Sequence, residues 1–528
     1  MNLRKGTAAL ALASLLAATP GCKDFYDVNV DPINATSARI EKLLPASQGA
    51  MSVYLGLSAL GMSQATSTLV NQLSSSRDIG SYTPDGGSFS NQWGGLYADC
   101  LVNNEQVLKQ ATESQNWDYV GIAQLQKAFV FSQMVDLWGD IPYSQALQGA
   151  ANPAPKFDKD SEIYKSLLGL IDAGLENLAK PSSTATLGTA DLIYGGSKTK
   201  WARMGRTLKL KLLNQIRLNP TPVISEAALN TQVSALLAQD LMQSIGDDYE
   251  FKYNSSTTPE NRNLGYIADY VTASRENSVG RFFYQDIMTG DPRRPYYFYR
   301  QVTSFQAAAD FSDATGFVTV LLGSIGPAAN TAIANSVTLP GLYAVGGKFD
   351  DGKGGVATGV AGKGTVAQRF LTSASRYFTE AEVRLMILKD QAGAATAMEK
   401  GIRLAFDKVN DIAAADNASN PAPTTPQISA TVIDNYVQNA LSGGVTLEKI
   451  MIEKYKAGFG FGEDVYTDYR RTGFPAITLP GTSAEPHTRL TGGYPRRLPY
   501  RQDDLTSNPN APKQQPNLVL DKIFWDRR

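Results

Sequence analysis

The chain is very poor in the side chains on which most metal-dependent and hydrolytic enzymes rely. Its 528 residues include one histidine and two cysteines. A histidine-based zinc site needs two or three such ligands, and a Ser–His–Asp triad could use only His487. No G-x-S-x-G nucleophile elbow occurs, and His487 is predicted to lie in a surface loop. The sequence therefore argues against zinc chemistry and against serine hydrolysis.

An excess of positive charge and a membrane-spanning segment are also missing. Lysine and arginine total 49 against 50 acidic residues, so the net charge is −1. Without a basic excess the chain would not attract a phosphate backbone, and we expect no nucleic-acid partner. Beyond the first 21 residues, no run approaches the roughly 20 apolar residues that a bilayer span needs. An apolar content of 43% is typical of a globular protein with a sizeable core.

Residues 1–21 have the pattern of a secretion signal. Arg4 and Lys5 give a positive start, a short apolar stretch follows, and small residues precede Cys22. A cysteine at the cleavage point predicts a bacterial lipoprotein in which Cys22 is acylated and anchors the chain to a membrane. Thr19 stands where that pattern prefers leucine, and ordinary secretion with a coincidental cysteine is the alternative.

Residues 22–37 are polar and rich in turn formers, and we predict that they form a tether. Asp27, Asn29 and Asp31 resemble the opening of a calcium loop, but a proline and an alanine replace the glycine and the closing glutamate that such a loop needs. The sequence therefore predicts no calcium site here, and no metal or cofactor elsewhere.

Cys100 is the second and last thiol of the chain. If Cys22 is acylated, no internal disulfide can form, so stability must come from packing. Because Cys100 lies in a helical pattern, we expect it to be a buried, small apolar residue rather than a nucleophile.

Residues 38–528 are predicted to form a single, mainly α-helical domain. Apolar residues recur at three- and four-residue spacing over 93–111, 119–137, 162–178, 201–216, 227–242, 375–390, 394–411 and 431–459. Such helices suggest tetratricopeptide-like pairs, although the sequence hallmark of that repeat is absent. Between them, residues 247–365 are rich in Asn, Gly, Ser, Tyr and Pro and are predicted to be a loop-rich insertion, a kind of segment that is often functional.

Six motifs follow one another in the order of a known family. They are CKDFYDVNVDP at 22–32, LWGDIPY at 137–143, DPR at 291–293, YFTEAE at 377–382, DYRRTGFP at 468–475 and YPRRLPY at 494–500. Through them the chain resembles the SusD/RagB family, the nutrient-binding surface lipoproteins of Bacteroidetes, and most closely its SusD-like branch. One departure is that Asp503 and Asp504 replace the glutamate usual after the last motif.

Physical chemistry gives these motifs a role in folding. In LWGDIPY, a glycine followed by a proline ends a helix, and Asp140 can accept backbone N–H bonds in the turn. Arg470 and Arg471 are suited to bind carbonyls or carboxylates that fix the final segment, with Glu380 and Glu382 as candidate partners. We therefore expect the motifs to determine the fold rather than to contact a ligand.

The resemblance implies a protein without catalytic activity. It implies a lipoprotein of the outer membrane that faces the exterior, captures an oligosaccharide or a peptide, and delivers it to a SusC-type TonB-dependent transporter. The rival hypothesis is an exported glycoside hydrolase or lyase, since paired carboxylates at a suitable separation cannot be recognised from sequence.

Two segments are candidates for ligand binding, because binding residues concentrate in loops on rigid scaffolds. Aromatic rings could stack on sugar faces, and the chain has 24 Tyr, 20 Phe and 5 Trp. The first segment, residues 74–93, contains Arg77, Asp78, Tyr82, Asp85, Asn91 and Trp93. The second, residues 281–299, contains Tyr284 and Tyr296. The alternatives are that Trp93 packs in the core and that the second segment is structural.

Overall fold

The protein is described here by a computed structural model, which covers residues 38–528 except 75–81, 183–186, 273–274, 303–315, 320–334, 361, 420–423 and 478–492. Helices account for most of the regular structure in these residues. In chain order they are α1 (Ile40–Tyr54), α2 (Met62–Leu69), α3 (Ser90–Gly95), α4 (Val102–Glu113), α5 (Trp117–Trp138), α6 (Asp160–Ala179), α7 (Lys198–Gln215), α8 (Glu226–Leu237), α9 (Leu264–Tyr266), α10 (Arg294–Tyr297), α11 (Leu342–Val345), α12 (Ser373–Val383), α13 (Gln391–Ser419), α14 (Ala430–Leu441), α15 (Leu447–Ala457), α16 (Gly462–Thr472) and α17 (Gln502–Ser507). The predicted mainly α class is confirmed.

The strands of the described residues are short and pair only two by two, all antiparallel. The pairs are β1 (Leu73–Ser74) with β5 (Ser278–Val279), β2 (Ile141–Pro142) with β3 (Phe157–Asp158), β4 (Tyr249–Phe251) with β8 (Gln368–Leu371), and β6 (Phe298–Tyr299) with β7 (Leu339–Pro340). They fasten the loop-rich part of the chain to itself and to the helices.

Consecutive helices pack side by side in the first half of the chain. Helix α5 contacts α4, α6 and α7, and nearly all of its residues are buried, as expected of a helix that is apolar on every side. At the crossing with α6, a Cβ on Gly121 would lie 2.8 Å from the Gly174 carbonyl oxygen, so only glycine permits this approach. In the second half α12 packs on α13 and α15. These neighbours form the tetratricopeptide-like pairs that the sequence predicts.

Three predicted helices are interrupted, one of them that over 375–390, which contains a π-helical turn at Arg384–Leu388. The pattern over 431–459 is two helices, α14 and α15, because Gly443 and Gly444 between them adopt φ values of +72° and +88°. The pattern over 93–111 contains a π-helical turn at Leu96–Leu101. Within that turn Cys100 is fully buried, and burial raises the pKa of its thiol to about 12, which agrees with the predicted role in the core.

The described part of the final segment, residues 473–528, packs over the helices. Leu498 and Trp525 are fully buried, and the Trp525 indole N–H donates to Asp136 Oδ1 at 2.9 Å. Arg470 donates to the backbone carbonyls of Asp136 and Arg496, at 2.5 and 2.8 Å. The predicted role of Arg470 in fixing this segment is confirmed.

Arg471 binds one of its two predicted partners. Its guanidinium pairs with Glu382, which also accepts hydrogen bonds from Arg217 and Asn214. Glu380 instead pairs with two arginines on its own helical face, four residues away on either side. Burial alone would raise the pKa of the Glu382 carboxyl, but the two adjacent guanidinium groups hold it well below its usual range.

The described part of the 247–365 insertion is irregular but firmly held. The Tyr266 hydroxyl donates to the carbonyls of Gly359 and Gly362, at 2.9 and 3.1 Å. The Tyr299 hydroxyl donates to the Gly355 carbonyl at 2.9 Å. Buried tyrosines therefore fix the glycine-rich stretch that follows α11. In the described residues no helix is long and apolar enough to cross a bilayer.

Candidate functional site

Four of the residues singled out from the sequence cannot be placed. Cys22, Arg77, Asp78 and His487 lie outside the described residues, so the lipid anchor and the tip of the first candidate segment stay predictions.

The two candidate segments begin side by side in space. Strand β1 leads into the first segment and β5 leads into the second, with Leu73 opposite Val279 and Ser74 opposite Ser278. The ladder extends further, because the Val279 N–H donates to the Thr338 carbonyl at 3.1 Å. We call the place where residues 73–74, 278–279, 317–318 and 338–340 meet the junction; all of them except the half-buried Ser278 are buried. Segments that are far apart in sequence thus converge on one place.

The buried carboxylate of Asp269 binds the chain next to strand β5. Asp269 accepts hydrogen bonds from the backbone N–H and the side-chain amide of Asn277, at 3.1 and 2.8 Å. Gln64 on α2 donates to the Asn277 side-chain oxygen at 3.1 Å. Burial raises the pKa of Asp269 to about 7, although the bonds from Asn277 and the charge of Arg275 oppose this shift. The network ties the second segment to the helical scaffold.

Beside the junction, an arginine lies over the ring of Tyr284, one of the tyrosines predicted to bind a ligand. The Arg294 guanidinium carbon is 3.7 Å from the centre of the Tyr284 ring, and the Phe317 ring lies 4.6 Å from Tyr284. Tyr284 is only 1% exposed, whereas Arg294 is partly exposed. Among the described residues, Arg294 has no carboxylate within ion-pairing distance. Arg294 is therefore a partly exposed polar group at this place, and its guanidinium group packs on the ring of Tyr284.

The other aromatic side chains predicted to contact a ligand are also buried. Tyr296 is 3% exposed, and its hydroxyl donates to the Pro426 carbonyl at 2.5 Å. Tyr82 is 2% exposed and meets the Tyr494 ring edge-on at 5.3 Å. Trp93 is 2% exposed, and its indole N–H donates to Asp504 Oδ2 at 2.6 Å. In this conformation Trp93 packs in the core, which is the alternative stated for it above.

Two polar residues of the first segment are at the surface. Asp85 accepts the backbone N–H groups of Gly87 and Ser88, at 2.8 and 3.1 Å, and so closes a turn. Asn91 is exposed on α3. Of the residues predicted here to bind a ligand, Asp85 and Asn91 are thus the two that the structure shows as exposed.

A groove lies elsewhere, between α13 and the loop-rich part of the chain. It is a partly open cavity of about 180 Å³, which is smaller than the roughly 300–1,000 Å³ of a typical small-molecule pocket. Its lining is mixed polar and apolar, and it comprises Glu250, Lys252, Tyr253, Leu342, Gly346, Lys363, Thr365, Val366, Ala367, Lys408, Asp411, Ile412, Ala415, Asp416 and Ser419.

Sequence reasoning missed both Arg294 and the groove. Arg294 lies inside the second candidate segment, but only aromatic residues of that segment were predicted to bind a ligand. Lys252, Lys363 and Asp411 belong to three distant parts of the chain, and only the folded structure brings them together. Among the described residues, no group of three or more His, Cys, Asp or Glu could hold a metal ion.

Comparison of the sequence with protein families finds one match over most of the chain. Residues 55–500 match the SusD-like model described as starch-binding and associating with the outer membrane. No curated protein matches the sequence.

Solved structures share the fold over nearly the whole chain. A chitin-binding protein superposes with a TM-score of 0.70 at 19% identity, covering 93% of this chain and all of that one. A SusD/RagB family protein from Bacteroides thetaiotaomicron gives 0.69 at 19% identity, covering 93% and 99%. A SusD homologue from Bacteroides uniformis gives 0.66 at 20% identity, covering 92% and 99%.

Proposed function

Because the chain belongs to the SusD-like family of starch-binding proteins that associate with the outer membrane, we propose that it is a cell-surface lipoprotein that captures an oligosaccharide and passes it to a SusC-type TonB-dependent transporter. Members of this family are binding proteins rather than enzymes, so the role proposed is capture without cleavage.

The observation that carries the proposal is the family match over residues 55–500. It includes the junction and the groove, and not merely the helical scaffold. The described fold agrees with such a role, because helical solenoids commonly present binding surfaces. A glycan ligand is favoured over a peptide because the family model is described as starch-binding, and a similar fold belongs to a chitin-binding protein.

We place the capture surface beside the junction, at Arg294. Its guanidinium group lies 3.7 Å over the Tyr284 ring, which restricts the side chain, so it can donate to sugar hydroxyls at little cost in side-chain entropy. Asn91, Arg77 and Asp78 of the first segment are the further ligand contacts that we propose from the sequence. The buried rings would act here by supporting the polar groups.

Replacing Arg294 by alanine should weaken glycan binding about tenfold, since a hydrogen bond from a charged donor is worth about 1.5–3 kcal/mol. The measurement is affinity electrophoresis of the purified chain through gels that contain soluble starch or glycol chitin. Arg527→Ala removes another exposed arginine and should leave the migration unchanged. Equal retardation of wild type and R294A would show that the junction does not hold the glycan.

Membrane attachment and partnership are tested in cells. We expect the chain to copurify from outer membranes with a TonB-dependent transporter, and a Cys22→Ala variant to appear in the soluble fraction, because it has no acylated residue. Recovery of the chain without any transporter would contradict delivery. Tight membrane retention of C22A would contradict the lipid anchor while leaving glycan binding untouched.

A further inference from the structure

The groove beside α13 has its own fixed aromatic ring. Tyr253 follows β4 and is half-buried, and its ring meets that of Phe251 edge-on at 5.2 Å. Its hydroxyl lies 3.2 Å from Ser52 Oγ on α1. Because both the edge and the hydroxyl are held, the ring has a set orientation in the groove that it lines.

The opposite rim is also held in place. Lys363 and Gly364 each donate a backbone N–H to the Gly346 carbonyl, at 3.2 and 3.0 Å. Gly346 adopts a φ of +71°, and a Cβ there would lie 2.9 Å from the backbone nitrogen of Thr365. This close approach fixes the segment that brings Lys363 and Thr365 to the groove.

The charged residues that line the groove differ in their partners. Asp416 accepts a hydrogen bond from the Thr425 hydroxyl at 2.7 Å. Lys408 is compensated, because its ammonium lies 2.7 Å from Glu250 and 3.3 Å from Asp248. Lys252, Lys363 and Asp411 differ, since none of them forms an ion pair with any described residue. The groove thus presents uncompensated donors and an uncompensated acceptor at the same time.

We propose that this groove binds a neutral saccharide unit, at a site separate from the junction. The inference rests on the proposed function in taking the ligand to be a glycan. A neutral sugar suits the lining because each hydroxyl both donates and accepts, so it can satisfy Lys252, Lys363 and Asp411 together. An anionic ligand would meet Asp411, and a cationic one would meet the two lysines. The C–H-rich face of the sugar would lie on the Tyr253 ring.

The test uses the full chain with two probes, maltotriose and chitotriose. Crystals are soaked in each, and binding in solution is measured by titration calorimetry. We expect at least one trisaccharide in the groove against Tyr253. Tyr253→Ala and Asp411→Ala should each lower its affinity about tenfold. Tyr253→Phe keeps the ring and its contact with Phe251 but loses the hydroxyl contact with Ser52, so it should lose much less affinity than Tyr253→Ala. Asp407→Ala removes an exposed carboxylate one turn away on α13 and should bind as wild type does.

The outcomes separate this site from the junction. A sugar found only at the junction, or a groove that stays empty in both soaks, overturns the inference while retention on starch or chitin still supports the proposed function. Unchanged affinity in Y253A and D411A overturns it as well, since it would mean binding at crystal concentration only. If the chain is retained on neither polymer and takes up neither trisaccharide, both proposals fail.

Discussion

A Glu382→Ala variant should lose about 3–5 kcal/mol of unfolding free energy, as happens when one member of a buried ion pair is removed. Glu382 and Arg471 are both fully inaccessible to solvent, and Arg217 is 6% exposed. Without the carboxylate, the buried Arg217 would lose its carboxylate partner, and the buried Arg471 would keep only Asp468, 2.7 Å away. We expect urea denaturation, followed by circular dichroism, to show the midpoint falling markedly.

A surface pair provides the comparison. Glu399 on α13 pairs with Arg403, but both side chains are about 40% exposed, and exposed pairs contribute little. Glu399→Ala should therefore cost less than about 0.5 kcal/mol. A loss below about 1 kcal/mol in E382A would mean that the surrounding charges rearrange freely, contrary to the packing described.

The pH dependence of this network has a definite sign. Because the folded protein holds the pKa of Glu382 below its ordinary value, the carboxylate stabilises the fold at neutral pH. That contribution is lost as the pH falls below the ordinary range for glutamate. E382A should therefore resemble wild type more closely in acid than at neutrality.

Trp525→Ala should lose a similar amount, about 3–5 kcal/mol for a large buried aromatic side chain. The Trp525 ring is fully buried, with the Arg470 guanidinium carbon 4.9 Å from its centre. Its removal would leave a cavity and would deprive Asp136 of an indole donor. The same denaturation measurement applies, with near-ultraviolet circular dichroism reporting on the final segment.

Trp525→Phe is the matched variant for this site. It keeps much of the buried volume and removes the N–H, so it should cost roughly 1–2 kcal/mol, chiefly for the lost bond to a buried carboxylate. If W525A unfolds at the same urea concentration as wild type, the final segment contributes nothing to the fold, which its burial contradicts.

The parts of the fold that follow from local patterns could be predicted. Apolar residues recur along helix α5, and its end is marked in the sequence by Gly139 followed by Pro142; Gly139 adopts a φ of +77°, which favours glycine. Helix α16 escaped prediction because it carries Glu463, Asp464 and two arginines, and charged residues normally indicate a surface. In the fold all four are buried. Lys211 pairs with Asp464 and Glu382 pairs with Arg471, Arg470 donates to backbone carbonyls, and burial raises the pKa of Glu463 well above its ordinary value.

The candidate site shows the same limit. The two candidate segments begin side by side at the junction, but the exposure of each aromatic ring depends on partners that no local pattern reveals. Trp93 is buried because Asp504, some four hundred residues later, accepts its N–H. That aspartate is one of the two that replace the family's usual glutamate, so a departure visible in the sequence has a structural counterpart.

The tyrosine hydroxyls that hold the glycine-rich stretch have a thermodynamic consequence. A glycine-rich backbone would ordinarily lose much conformational freedom when it becomes ordered around a bound ligand. Here the Tyr266 and Tyr299 bonds impose that ordering during folding, so association at the neighbouring groove should bring only a small unfavourable entropy change. Tyr266→Phe would remove the hydroxyl that orders this stretch. It should then lower the affinity for the saccharide mainly through a less favourable binding entropy, while the contacts and the binding enthalpy stay nearly unchanged.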